Sequence, residues 1–176
     1  VGATTVNQII INDGGVLNDD GGARNLTLNS NFITNGTGYF DLSGGGNITA
    51  NSPVNFQGSG NMVLAGSATM YSSLEIGTGV TLTQTSNSDI IVQGDLICDG
   101  TIAITGTKFL RLNGASASNI SGTGLITSTN AGSKVELSNG DKTILSGTNL
   151  TIQPMVDINE NSLNVVNNGT INLQYN

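Results

Sequence analysis

Short apolar-x-apolar pairs recur along almost the whole chain and come back into step every 20–25 residues. They include Leu26/Leu28, Phe40/Leu42, Ile48/Ala50, Val54/Phe56, Met62/Leu64 and Ala68/Met70. The series continues through Leu74/Ile76, Leu96/Cys98, Ile102/Ile104 and Leu110/Leu112, and then through Val135/Leu137, Leu150/Ile152, Leu163/Val165 and Ile171/Leu173. Each pair has the period of two that marks a short strand with one buried face. No segment carries the 3.6-residue period of a helix.

Pairs spaced this closely admit either a meander of hairpins or a coil with three strands per turn. The stretch GDLICDGTIAITG at 94–106 poses the choice, because Asp99-Gly100 between two alternating runs is also a hairpin signal. The long period favours the coil. Ala68, Ile90, Leu110, Val135 and Val156 fall at intervals of 22, 20, 25 and 21. Val54, Leu74, Leu96, Ile120 and Ile144 do so at 20, 22, 24 and 24, and Val80, Ile102, Ile126, Leu150 and Ile171 at 22, 24, 24 and 21. Self-similarity on this scale is the signature of a solenoid.

The sequence therefore predicts an all-β, three-sided parallel β-helix (a β-solenoid), one domain over 1–176, with about seven coils of 20–25 residues. Coils of this length with irregular corners favour the right-handed form over a left-handed one built from six-residue units. Leu, Ile and Val fill an axial core. Asn-Gly at 35–36, 113–114, 139–140 and 168–169, with Asp-Gly at 99–100, supplies left-handed backbone or tight bends at corners. Residues 113–133 carry few large apolar side chains, so wide corners or an interrupted coil are expected there.

Gly, Asn, Thr and Ser make up about half of the 176 residues, and the net charge is −7 with only five cations, Arg24, Lys108, Arg111, Lys134 and Lys142. Phosphate neutralisation needs clustered Lys and Arg, so nucleic acid is a poor partner. No run approaches the roughly 18 apolar residues of a membrane span. The chain starts at Val1 without a charged leader, which suggests a mature secreted form or an excised domain. A single cysteine excludes an internal disulfide.

Chemistry has few candidates. Without His, triads and most general-base schemes are gone. Cys98 alternates with Leu96 and so reads as a small core residue. Glu75, Asp95 and Asp99 form the tightest acidic group by coil register, and Arg111 and Glu136 fall one coil apart as a surface ion pair. The Asp-Gly nonapeptide of calcium-binding β-helices is missing, so no metal or other cofactor is expected. Six Asn-x-Ser/Thr sequons, at Asn25, Asn35, Asn47, Asn119, Asn149 and Asn168, arise from the strand pattern itself. On the third side, outward positions stack as Thr81, Ala103, Thr127 and Thr151, with Thr83, Thr105 and Thr129 beside them. Such a double row resembles the ice-binding surface of some antifreeze proteins.

Through units such as NLTLNS, GDLICDG and GTINLQ, the chain from about Leu26 to Leu173 resembles the Asn/Gly/Thr-rich β-helical regions of secreted bacterial surface and adhesin-type proteins. That resemblance implies an extracellular, non-enzymatic structural or adhesive role at the cell surface. Both terminal segments, TVNQIIIN (5–12) and GTINLQYN (169–176), read as strands without caps, so self-association of solenoid ends into a filament or long fibre is expected. The alternatives are a carbohydrate-binding or carbohydrate-processing β-helix, with a glycan or surface ligand as partner, and an ice binder using the Thr face.

Overall fold

The computed structural model describes residues 4–18, 25–29, 32–42, 48–51, 53–56, 61–64, 68–84, 89–158 and 163–175. Among them, twenty-four strands are dealt in rotation to three sheets of eight, so every third strand shares a sheet. The first sheet runs from Thr4–Val6 to Met155–Ile158, the second from Ile9–Ile11 to Val165–Asn167, and the third from Val16–Asn18 to Thr170–Leu173. Neighbours pair in parallel at every step of all three ladders, from Thr4 beside Leu26 to Leu173 beside Ile152. This is a three-sided parallel β-solenoid. It has eight rungs per side against the expected seven or so.

Asp99-Gly100 is a corner. Leu96–Cys98 belongs to the second sheet and Thr101–Ile104 to the third, and both pairs of apolar side chains point to one axial core. Residues 113–133 contain the strands Ser118–Ser121 and Leu125–Ser128, so the coil there is widened, not interrupted.

The inward columns agree with the sequence on the second sheet, where Val54, Leu74, Leu96, Ile120 and Ile144 stand rung above rung. The first sheet aligns Ile90, Leu110, Val135 and Val156 as expected, but Ile90 stands beside Thr69, not Ala68. That one-residue displacement turns Tyr71 inward and Met70 outward, at 0% and 37% exposure. The Tyr71 ring meets Phe56 edge-on at 6.3 Å and extends a cluster of Phe32, Phe40 and Phe56 with centroids 5.2–5.5 Å apart. Each such contact contributes about 0.5–1.5 kcal/mol beyond burial, enough to favour the ring over a thioether. On the third sheet the aligned residues are Leu82, Ile102, Ile126 and Ile152, two positions away from the expected Val80 and Leu150. Val80 and Leu150 are buried all the same, since a shift of two keeps a residue on its side of the strand.

Polar groups tie coil to coil, at the corners and along the third side. Asn35 Nδ2 donates to Asn12 Oδ1 at 3.2 Å, Asn51 to Asn29 at 3.1 Å, and Asn172 to Asn149 at 2.9 Å. Stacked amides of this kind engage six of the 24 asparagines. Asn35 and Asn149, two of the sequon residues, serve in these ladders, and Asn47 lies outside the described residues. Of the expected corner pairs, Gly36 has a left-handed backbone, whereas at 139–140 it is Asn139 that takes it, with φ of 58° and 61°. Gly114 is needed for closeness, because a Cβ there would lie 1.4 Å from the Gln93 carbonyl oxygen of the preceding coil.

Candidate functional site

All six threonines singled out in the sequence belong to the third side. Thr81, Thr83, Thr127 and Thr151 occupy outward strand positions and are partly exposed, and Thr105 and Thr129 are exposed just past the ends of their strands. Their stacking differs from expectation. Thr81 stands beside Thr101, which stands beside Leu125, and Leu125 beside Thr151. The neighbouring row runs Thr83, Ala103, Thr127. The expected double row of threonines is thus replaced by two rows, interrupted by Leu125 and Ala103. The same two-residue register shift that moved the core column causes this. Two hydroxyls are also engaged: Thr105 Oγ1 donates to the Gln84 carbonyl at 2.7 Å, and Thr127 Oγ1 bonds Gln153 Oε1.

The carboxylates have a use that spacing did not reveal. Five aspartates each accept a main-chain N–H from the following coil: Asp13 from Thr37 (3.0 Å), Asp89 from Phe109 (3.1 Å), Asp95 from Asn119 (2.7 Å), Asp99 from Thr123 (3.0 Å) and Asp141 from Asn164 (3.0 Å). Four of these, Asp13, Asp95, Asp99 and Asp141, stand in Asp-Gly or Gly-Asp dipeptides, the one signal in the sequence that could have located them. The Thr37 hydroxyl adds a second bond to Asp13 at 2.5 Å, and the Thr37 hydroxyl and amide hold the Asp13 carboxyl below the ordinary aspartate value. Of the acidic group expected to cluster, Glu75 and Asp95 do flank one shallow groove of about 340 Å³ on the second side. Asp99 lies at the next corner, in a different depression beside Thr81 and Thr151. Glu75 accepts the Asn55 amide at 3.0 Å, so the charges expected as a group act singly as hydrogen-bond acceptors.

The expected Arg111–Glu136 pair forms on the first side at 2.5 Å and is part of a chain of charges. Arg111 also meets Asp89 at 2.9 Å, Lys134 meets Asp157 at 2.8 Å, and the Arg111 guanidinium lies 4.5 Å above the Phe109 ring. Lys134 and Asp157 are both partly exposed, as are Arg111 and Asp89, so each of these pairs contributes little to stability, of order 1 kcal/mol or less, whereas Glu136 is buried beneath its contact with Arg111. Lys142 is different. It points inward at 1% exposure, and its amine donates to the Gly140 carbonyl. The period-two spacing from Ile144 carried that signal, against the rule that lysine stays outside.

Cys98 is fully buried, and its thiol donates weakly to the Gly100 carbonyl at 3.6 Å. Burial, with the neighbouring Asp99 charge, pushes its pKa up to about 12, far from a nucleophile's range. Among the described residues no group of three or more His, Cys, Asp or Glu is placed to hold a metal ion, and no helix is long and apolar enough to cross a membrane. Comparison with family models, with curated proteins and with solved structures finds no match.

Proposed function

We propose that this chain is an extracellular structural or adhesive β-solenoid, without enzymatic activity, that joins end to end into a filament or forms part of a long surface fibre. One observation carries the reading. At the last rung, side chains that continue the core columns stand in solvent: Ile158 is 55% exposed and Leu173 48%, where the residues they stack on, Leu137 and Ile152, are 5% and 6% exposed. An apolar cavity of about 200 Å³ runs from these residues into the core.

The geometry of joining follows from the ladders. Among the described residues, no strand pairs the outer edges of the first or last rung. Open edges invite pairing, and natural sheets usually blunt them with charge or proline. The first-rung strands, TTV, III and VLN, contain neither, and the described last-rung strands, MVDI, VVN and TINL, carry a single charge, Asp157, already paired with Lys134. Since every ladder is parallel, a second copy continues it only head to tail. Head-to-tail joining without rotation back to the start does not close, and so gives a fibre. The use of five aspartates as ties between coils supports a structural role over a catalytic one, as does the resemblance to bacterial surface and adhesin-type β-helices.

Negative-stain microscopy and sedimentation velocity over a concentration series test the proposal. Eight rungs at about 4.8 Å give rods lengthening in steps of about 38 Å. Dispersed single particles at high concentration would sink the idea.

A further inference from the structure

The corner between the third and first sides changes length abruptly near the end of the solenoid. Four residues (105–108) connect Thr101–Ile104 to Phe109–Leu112, and five (129–133) connect Leu125–Ser128 to Lys134–Leu137. Only two, Gln153 and Pro154, make the next turn from Asn149–Ile152 to Met155–Ile158. The longer loop therefore overhangs the shorter one. Tyr175, following the last strand, closes the third wall of a cleft of about 690 Å³. That is within the usual size of small-ligand sites, roughly 300–1,000 Å³.

The overhang is held in place. The buried hydroxyls of Ser128 and Ser133 bond each other at 2.7 Å, Asn130 N donates to Ser128 Oγ at 3.0 Å, and Ser133 N donates to Asn130 O at 3.1 Å. Two side-chain amides then face the cleft with their oxygens already occupied. Asn130 Oδ1 accepts Gly132 N at 2.8 Å, and Gln153 Oε1 is bonded by Thr127. Their NH₂ groups remain to serve as donors to a ligand. Two apolar surfaces in solvent also line the cleft, the Tyr175 ring at 60% exposure and the Met155 thioether at 44%. None of the described residues lining the cleft is charged.

We propose that this cleft binds a neutral oligosaccharide. The chemistry calls for a ligand with an apolar face to lie on Tyr175 and Met155, oxygens to accept from Asn130 and Gln153, and no charge. A pyranose ring has all three. An apolar peptide would leave both amides unpaired, and an acidic sugar would find no cation among the lining residues. This site gives the adhesive reading a class of ligand, but it rests on the cleft alone and not on the joining of ends.

The test is titration of the ¹⁵N-labelled chain with trisaccharides of glucose, mannose, galactose and N-acetylglucosamine, with trigalacturonate as the charged comparison. At least one neutral trisaccharide should bind with Kd near or below about 1 mM and shift the amides of Asn130, Met155 and Tyr175. Tyr175→Ala and Asn130→Ala should each weaken binding about tenfold, while Tyr175→Phe, which keeps the ring, stays within about threefold. Failure of every neutral trisaccharide at 10 mM, roughly ten times the expected Kd, would overturn the proposal. So would shifts located elsewhere, indifference to both alanine substitutions, or preference for trigalacturonate.

Discussion

Replacing Ile158 and Leu173 together by lysine probes the proposed seam directly. Both continue core columns, yet about half of each is in solvent, 55% and 48%. Full burial of such a side chain contributes about 1.5–3 kcal/mol, so covering the exposed half contributes about 1 kcal/mol apiece. The double variant forfeits that 2 kcal/mol or so and adds the cost of removing two ammonium groups from water. Allowing the lysine stems to bend outward, a further 2 kcal/mol is a modest figure, for a total of about 4 kcal/mol. Association should weaken by roughly a thousandfold. Within a single chain both sites are already wet, so thermal stability should change by less than about 1 kcal/mol. Sedimentation velocity reads the first quantity and a melting curve the second. Val166, on the same rung but facing outward, supplies the control, and Val166→Lys should weaken association less than tenfold, about 1.4 kcal/mol. Rods that form equally well from the double variant would refute the argument that these residues are a seam.

Three further outcomes follow from particular contacts. Gly114→Ala forces the corner away from Gln93 and should lower stability by at least about 3 kcal/mol in chemical denaturation, whereas an ordinary surface change stays within about 0.5 kcal/mol. Cys98 should resist thiol reagents at neutral pH until the chain unfolds, and Cys98→Ala should cost about 1–2 kcal/mol without altering assembly; rapid native labelling would contradict its placement in the core. The Asp13 carboxyl titrates lower in the folded chain than in the unfolded one, so its bonds to Thr37 stabilise the fold above the ordinary aspartate pKa and are lost as pH falls through the folded value. Carbon-detected NMR should show Asp13 titrating below a free aspartate, and Thr37→Val should return it upward.

Much of this architecture can be read from residue order because a short strand with one buried face leaves a period of two and a coil repeats it. The second-sheet column from Val54 to Ile144 is recoverable at every rung. Register on the third sheet is not, because Val80 and Leu82 both point inward, as do Leu150 and Ile152. Spacing cannot choose between positions two apart, and the expected threonine rows inherited that ambiguity. At Ala68–Tyr71 the obstacle is different. Met70 satisfies alternation locally, and only the distant rings of Phe32, Phe40 and Phe56 decide for Tyr71. The glycine beside most of the tying aspartates hints at a corner, but not at the partner, since each tie joins residues 20–24 apart through a backbone amide that has no letter of its own. The cleft depends on a difference in corner length, which appears only once the register on either side is known.

The ladders that fix the register also set how the molecule responds to force. Their hydrogen bonds run along the rod, so tension between its two ends opens one coil from the next while the backbone still tethers them. A released coil of 20–26 residues, the range spanned by Leu82 to Ile102 and Ile126 to Ile152, adds up to about 70–90 Å of chain. Under load such a rod lengthens stepwise by up to roughly fifteen times its resting rise of about 4.8 Å per coil before any covalent bond is strained, and it keeps its two attachment points connected throughout.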